Sequence, residues 1–329
     1  MSDKNNDLIK VICLLIHAAR IDENYSEKEK KIIINFTELF LKKEIERNEN
    51  IKNLSQNEII SLVEKAEEYE KNSNQILEYT QKVKKMDLNT KKTKTIIAPK
   101  EAELSVMFQR KSKAPIWYTE NFLYPKMTVL DPAYEKDIDT LQKIDKGFPQ
   151  VVSSNLADDK WIVAYLSDTG PVKYYLYDRT TKKGVFLFSN LTALEGLTLQ
   201  PMHAVKIKSR DGLNLISYLT LPEKATLTSE ACVPTILLVH GGPETRDTWG
   251  YDPQHQWLAN RGYAVLSVNY RGSSGFGKKF VSAGDGEWAG KMHDDLIDAV
   301  HWLIENKISD PQKIAIMGGS YGGYATLVG

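Results

Sequence analysis

The sequence predicts a multidomain protein in which a helical N-terminal segment precedes a short β-rich region and a C-terminal α/β region. All 20 glycines lie at or after Gly147 and the first proline is Pro99, so the opening stretch lacks the residues that interrupt helices. Short aromatic and β-branched runs separated by turn residues fill residues 117–199. After Pro201, compact apolar runs alternate with a helical pattern, which indicates an α/β arrangement.

The composition is that of an ordinary globular protein. Of the 329 residues, 42% are hydrophobic and 26% are charged, and the formal net charge is zero. A balanced charge gives no electrostatic reason to expect a nucleic acid or an anionic membrane as the main partner. The short apolar stretch at 11–16 fits neither a signal peptide nor a membrane span, which predicts a cytoplasmic protein. Cys13 and Cys232 have no metal-ligand neighbours, so we expect two buried thiols and neither a disulfide framework nor a zinc site.

Helical spacing of apolar residues predicts helices within residues 1–90. Ser26 with Glu29, and Ser55 with Glu58, have the spacing of capping boxes, in which both side chains satisfy the first free amides of a helix. Seven lysines then gather in residues 81–100, where the apolar periodicity fails. A solvated connector is the favoured interpretation and a contact with nucleic acid or lipid is the alternative. Residues 91–147 are predicted to be a linker and irregular region.

Strands are predicted after this linker. Three short runs, 161–166, 174–177 and 185–188, form a meander that is typical of one propeller blade or of part of a sandwich. A hairpin around Asp211-Gly212 then leads into nearly all-apolar runs, as expected of parallel strands covered on both faces. These runs are residues 235–239, 264–268 and 313–317, and residues 294–306 form an amphipathic helical pattern between the last two.

One motif points to nucleophilic catalysis. Gly318-Gly319-Ser320-Tyr321-Gly322 follows a predicted strand and opens a helix, which is the context in which G-x-S-x-G forms a nucleophile elbow. A serine at the apex of this tight turn has strained backbone angles, so small neighbours are needed and the hydroxyl projects above the sheet. The alternative is an accidental glycine-rich turn. We expect Ser320 to be the catalytic nucleophile.

A second glycine-rich segment complements the first. His240-Gly241-Gly242-Pro243 follows the strand at 235–239, where α/β hydrolases place the loop that completes the oxyanion hole. Two fixed amides there would meet the negative charge that grows on the carbonyl oxygen during acyl transfer. We assign these amides to Gly242 and Tyr321. His240 is predicted to order the loop instead of acting as a base.

Together these motifs resemble the prolyl oligopeptidase family of serine peptidases over residues 148–329, nearest its acylaminoacyl-peptidase and dipeptidyl-peptidase-like members. The resemblance rests on the segments at 239–243, 269–277 and 319–323 with Trp288 and Asp294-Asp295, in the family's order and spacing. It implies a fold with a partial β-propeller of about one blade at 148–200 and an incomplete α/β-hydrolase domain at 201–329. It also implies hydrolysis of a peptide or acyl-peptide substrate without a cofactor. An esterase is an alternative, because the same elbow cleaves esters.

The first 90 residues separately resemble a TerB-like, tellurite-resistance-type helical domain through the segment at 18–27 and the helix that follows. The resemblance permits a metal site at the acidic residues there, but helix capping explains Glu27 and Glu29 without a metal. No metal site is therefore predicted. A cytoplasmic stress-response or binding module carrying a hydrolase remnant is the alternative to the peptidase interpretation.

The chain departs from the hydrolase pattern after the elbow. The triad of an α/β hydrolase runs in the order serine, acid, histidine, yet none of the nine residues after Ser320 is acidic or a histidine. A serine without a positioned base is a poor nucleophile, so we expect this chain to be inactive or nearly so. The strand at 313–317 is expected to be an exposed apolar edge, and the whole pattern suggests a fragmentary or chimeric reading frame.

Overall fold

The computed structural model describes residues 83–86, 92–98, 101–109, 112, 114–228, 230 and 232–329. The predicted N-terminal helices, their capping boxes and the acidic residues of the TerB-like segment lie outside these residues, so they stay predictions. The chain divides into two compact units, Met1–Ala98 and Pro99–Gly329. In the described part of the first unit, β1 (Val83–Met86) pairs antiparallel with β2 (Thr93–Ile97).

The linker predicted at 81–100 is therefore wrong where β1 and β2 lie. The prediction relied on the failure of apolar periodicity, which detects only helices and strands that bury a regular apolar face. Thr93, Thr95, Ile96 and Ile97 are β-branched, which favours extended backbone even in a lysine-rich segment.

The second unit begins with regular structure that corrects the irregular region predicted up to residue 147. A three-stranded antiparallel sheet contains β3 (Leu104–Phe108), β4 (Pro115–Asn121) and β5 (Pro125–Val129), with β4 in the middle. A 3-10 turn (Pro132–Tyr134) and helix α1 (Glu135–Ile144) follow. β4 and α1 each contribute two buried apolar side chains and the 3-10 turn contributes one, whereas β3 and β5 contribute none, so their periodicity is too short to be detected in the sequence.

A four-stranded antiparallel sheet comes next and confirms the predicted meander. Its strands are β6 (Phe148–Ser154), β7 (Lys160–Leu166), β8 (Lys173–Asp178) and β9 (Lys183–Ser189), and they lie side by side in chain order. The first of these strands was not predicted. Four such strands are the content of one propeller blade. One face of the sheet buries Trp161, Tyr165 and Tyr177 in a core shared with α1 and β4.

The C-terminal sheet has five strands in the order β10-β11-β13-β12-β14. They are β10 (Met202–Lys208), β11 (Asn214–Thr220), β12 (Val233–Val239), β13 (Ala264–Val268) and β14 (Ser309–Gly318). β10 and β11 form the predicted hairpin, and β12, β13 and β14 contain the three predicted apolar runs. The last three are parallel, and β13 is buried along its whole length because side chains pack against both of its faces. Among the described strands, β14 pairs only with β12 and occupies the predicted edge.

Helices cover both faces of this sheet. They are α2 (Pro253–Ala259), α3 (Lys278–Ser282), α4 (Lys291–Glu305) and α5 (Tyr321–Val328). Leu258 of α2 packs against Leu238 and Val265, whereas Leu296 and Leu303 of α4 share a core with the residues on the other face. From β12 the chain passes to β13 on one side of β12, and from β13 it crosses to β14 on the other side. The strand order therefore reverses at β12. Ligands of open α/β sheets bind at such a reversal, beyond the carboxyl ends of the strands.

The hairpin between β4 and β5 docks on the C-terminal sheet through main-chain oxygens. The Arg246 guanidinium donates to the carbonyl oxygens of Asn121 at 2.9 Å and of Phe122 at 3.4 Å. The Tyr218 hydroxyl lies 3.3 Å from the Phe122 carbonyl oxygen and 3.1 Å from that of Leu123. The tip of this hairpin is therefore fixed beside the loop that follows β12.

The expectation of a buried thiol at Cys232 is wrong. Cys232 is exposed and adopts a φ of 44° just before β12 begins. A position in a connecting loop explains the exposure, since such segments run over the surface. Cys13 lies outside the described residues.

Candidate active site

Ser320 lies in the predicted strand-to-helix turn, which confirms this part of the interpretation. Strand β14 ends at Gly318 and α5 begins at Tyr321. Between them, Ser320 has φ 56° and ψ −121°, in the region that non-glycine residues rarely adopt. The residue is exposed, so the hydroxyl is open to an incoming molecule.

The turn requires glycine because α5 starts against the end of β12. A β-carbon added to Gly322 would lie 2.0 Å from the carbonyl oxygen of Val239, and one added to Gly318 would lie 2.6 Å from the same atom. Both distances are far inside van der Waals contact. The absence of side chains at these two positions therefore allows Ser320 to stand directly above β12.

The loop after β12 faces Ser320, as predicted. A β-carbon built on Gly241 would lie 3.1 Å from Ser320 Cβ and 3.6 Å from its Oγ. Gly242 has a φ of 121°, and a β-carbon there would lie 2.7 Å from the backbone nitrogen of Glu244. The loop can consequently approach the serine with its backbone alone, as an amide donor to a bound oxyanion must.

His240 is engaged in ordering this loop. Its Nδ1 lies 2.8 Å from the Gly241 carbonyl oxygen, and its Nε2 lies 3.0 Å from Ser273 Oγ. Burial lowers the pKa of His240, so the ring is neutral near pH 7. These contacts agree with the structural role predicted for this residue. In the part of the chain that the structure describes, no histidine ring hydrogen-bonds to Ser320 Oγ.

An aromatic cluster underlies the turn, and sequence reasoning missed most of it. Tyr321 is buried, and its ring centroid lies 5.1 Å from that of Tyr270, 4.9 Å from Trp288 and 5.9 Å from Tyr324. Burial raises the pKa of Tyr321 to about 12, so its side chain stays neutral. The Tyr321 ring therefore carries no charge at neutral pH.

A buried ion pair joins three segments around the C-terminal sheet. The Arg271 guanidinium donates to Asp295 Oδ1 at 2.7 Å and to Asp295 Oδ2 at 2.9 Å, and its Nη1 donates to Asp211 Oδ2 at 2.8 Å. Hydrogen bonds with Asp295 raise the pKa of Arg271, and those from Arg271 hold the pKa of Asp211 well below its usual range. One cation therefore ties the segment after β13 to α4 and to the β10–β11 hairpin.

A buried polar network lies beside the site and was not predicted. Asp247 Oδ2 is out of contact with solvent and has no hydrogen-bond partner among the described residues, although other atoms of the residue are partly exposed. Burial raises the pKa of Asp247 to about 7. The charge of Asp252 adds to this rise, whereas the charge of Arg246 and a hydrogen bond between Ser267 and the carboxyl group oppose it. The His255 ring contacts Thr220 Oγ1 at 2.9 Å and Ser267 Oγ at 2.8 Å. Burial lowers the pKa of His255 to about 4.

Replacing Asp247 with Asn is expected to flatten the pH dependence of stability. The folded-state pKa of Asp247 lies above its ordinary 3.8, so the unfolded chain loses this proton first and stability falls as pH rises toward 7. Between pH 5 and pH 9 this group costs the wild type about 3 kcal/mol of the free energy of unfolding. Urea titrations at both values measure it, and an equal loss in Asp247→Asn would contradict the assignment. The lowered pKa of His255 changes the free energy of unfolding in the opposite direction, below pH 6.5. This contribution is the same in the wild type and in Asp247→Asn.

The described residues include neither a metal-ligand cluster nor a membrane-spanning helix. No cluster of three or more histidine, cysteine or acidic side chains within these residues could hold a metal ion. None of the helices described above is long and apolar enough to cross a membrane.

A serine on a strained strand-to-helix turn, facing a glycine loop at the switch of an α/β sheet, is the arrangement in which α/β hydrolases hold their nucleophile. Residues 249–328 match the model of the prolyl oligopeptidase family. Dipeptidyl aminopeptidase BIII of Pseudoxanthomonas mexicana is 53% identical over 213 residues, which are 64% of this chain and 31% of that protein. Dipeptidyl peptidase family member 6 of Caenorhabditis elegans is 37% identical over 68% of this chain and 33% of its own length.

Solved structures share the fold. An acylaminoacyl peptidase of Pyrococcus horikoshii superposes with a TM-score of 0.53 at 23% identity, over 72% of this chain and 37% of that one. A puromycin-hydrolyzing peptidase of Mycobacterium tuberculosis gives a TM-score of 0.58 at 21% identity, over 75% and 39%. The chain spans about a third of the length of the curated relatives named above. The chain is thus similar to the prolyl oligopeptidase family, and the relatives named here are peptidases, which are hydrolases.

Proposed function

We propose that the C-terminal part of this chain is that of a serine peptidase, which hydrolyses peptide bonds through an acyl-enzyme on Ser320. The observation that carries the proposal is the position of Ser320, at φ 56° on the turn before α5 and against the loop of Gly241. The substrate class is a peptide or an acyl-peptide, in keeping with relatives that are named dipeptidyl aminopeptidase and acylaminoacyl peptidase.

The proposed chemistry follows from the groups around the serine. Ser320 Oγ attacks the carbonyl carbon of the scissile bond, and the carbonyl oxygen becomes negatively charged in the tetrahedral intermediate. The amides of Gly242 and Tyr321 are proposed to donate to that oxygen. The N-terminus of α5 adds a favourable field, because its first amides are not bonded within the helix. Collapse of the intermediate releases the amine and leaves an ester on Oγ.

The proton of the serine hydroxyl needs an acceptor during the attack. His240 contacts Gly241 and Ser273, and His255 lies in the network of Thr220 and Ser267. Both nitrogens of each ring are engaged in these contacts, and none of the hydrogen bonds found among the described residues joins a histidine to Ser320 Oγ. Loss of the histidine costs a serine protease about 10⁶-fold in turnover, so we propose that the 329-residue chain by itself is nearly inactive.

An organophosphonate tests this proposal without requiring turnover. A fluorophosphonate should label the purified chain slowly: the Oγ–P bond forms, the P–F bond breaks, fluoride leaves and water accepts the hydroxyl proton. We expect mass spectrometry to place the adduct on Ser320 and Ser320→Ala to abolish it. Turnover of aminoacyl or peptidyl substrates should stay near background in both proteins. An adduct elsewhere, or equal labelling of Ser320→Ala, would remove Ser320 as the nucleophile.

A further inference from the structure

The two amides proposed for the oxyanion hole belong to separate segments of the chain. Gly242 lies in the loop after β12, and Tyr321 opens the helix after β14. An oxyanion hole works only when both donors lie about 2.7–3.1 Å from the same oxygen position. Something must therefore fix the distance between the two segments.

Tyr270 lies between them. It is fully buried, in the segment that follows β13. Its hydroxyl donates to the His240 carbonyl oxygen at 2.9 Å, and its ring stacks on the His240 imidazole with centroids 4.5 Å apart and planes 18° apart. Its other ring neighbour is Tyr321, at 5.1 Å between centroids. The Tyr270 ring thus contacts His240, which lies two residues before Gly242, and Tyr321, whose backbone amide is the second proposed donor.

The contact to the loop is doubly secured. Ser273 Oγ lies 2.6 Å from the carbonyl oxygen of Tyr270 and 3.0 Å from His240 Nε2, so the two segments are joined at both the ring and the backbone. Burial raises the pKa of Tyr270, which keeps its hydroxyl protonated as a donor. A buried carbonyl oxygen that loses its donor costs free energy, and the loop would shift to recover one.

We infer that Tyr270 is a positioning residue of the proposed oxyanion hole, setting the Gly242 amide against the Tyr321 amide through His240. The inference rests on the proposed function of Ser320. Tyr270 itself does not touch the substrate, and its effect is on the placement of the loop. The hydroxyl is the atom that matters, because the ring of a phenylalanine would keep both stacking contacts.

The test is Tyr270→Phe in the full chain, with Tyr263→Phe as a matched control. Tyr263 is a partly buried tyrosine that packs with Leu258 and Val265 on the face of α2. For a fluorophosphonate, we expect Tyr270→Phe to lower the limiting labelling rate about tenfold while the half-saturating concentration stays unchanged, since only the transition state needs both amides. Tm should fall by no more than about 4 °C in either variant. A merely structural role would lower Tm and leave the limiting rate of the folded protein unchanged.

Amide hydrogen exchange over residues 240–245 separates this inference from the proposed function. We expect exchange in this loop to rise at least fivefold in Tyr270→Phe, in a Ser320→Ala background as well. If the wild type does not react with the fluorophosphonate but Tyr270→Phe still raises amide exchange in the loop, the assignment of Ser320 as nucleophile is wrong and the positioning role of Tyr270 is kept. If labelling rate and loop exchange both match those of Tyr263→Phe, the inference is overturned.

Discussion

Replacing Arg271 with Met is expected to lower the free energy of unfolding by about 3–5 kcal/mol. The side chain of Asp295 is fully buried, and Arg271 is its ion-pair partner. Removing the guanidinium leaves the carboxylate of Asp295, on the buried face of α4, without its counter-charge, which is far more costly than losing a surface pair. Urea unfolding followed by circular dichroism at pH 7 measures the difference.

Arg210 provides the matched control. It pairs with Asp294 at 2.8 Å and with Asp298 at 2.9 Å, but its own side chain is half exposed. Arg210→Met should therefore cost less than about 1 kcal/mol. The double variant Arg271→Met/Asp295→Leu should recover much of the loss, because it removes the unpaired charge. Equal costs for the two arginines would show that burial of the Arg271 pair is not what stabilises these loops.

Replacing Gly322 with Ala is expected to cost more than about 3 kcal/mol, the upper end for overpacking, or to prevent folding. The new β-carbon would lie 2.0 Å from the Val239 carbonyl oxygen and 2.9 Å from its carbon. Both are backbone atoms of the central part of the sheet, so α5 would have to move away from β12. Ser320 would move with it, and phosphonate labelling should be lost together with stability.

Gly323→Ala is the control for this substitution. The nearest atom to a β-carbon at Gly323 is the Gly318 carbonyl oxygen, at an ordinary contact distance of 3.5 Å. Gly323 lies in α5, as Gly322 does. Alanine should therefore be tolerated there, and its better helix propensity is worth up to about 1 kcal/mol. Thermal unfolding of the two variants compares them directly. Comparable destabilisation at both positions would contradict the close approach of α5 to β12.

The sequence was most informative where chemistry depends on local backbone. The turn at Ser320 and the loop at Gly242 need glycines at fixed offsets, and such offsets are visible without a structure. The parallel strands were equally clear, because strands such as β13 that are buried on both faces read as continuous apolar runs.

Other features depend on contacts between distant segments and left no local signal. Tyr270 and His240 lie 30 positions apart, and Arg246 contacts Asn121 across 125 positions. Asp247 looks like any loop aspartate until the fold removes its Oδ2 from water. Helix α1 carries few apolar residues, and Asp137 on its buried face pairs with Arg179 and Lys182, so a charged residue stands where a pattern search expects an apolar one.

The docking of the β4–β5 hairpin has a consequence for how this protein can diverge. Arg246 and Tyr218 recognise the carbonyl oxygens at positions 121–123, and every amino acid carries the same carbonyl. Amino-acid replacements at the tip therefore leave the acceptors in place, whereas loss of either donor removes the contact. The side chains of Phe122 and Leu123 also pack against Met202, Ile216 and Tyr218. Sequence change at the tip is therefore limited to residues that keep this apolar packing, even though the carbonyl acceptors themselves do not depend on the side chain.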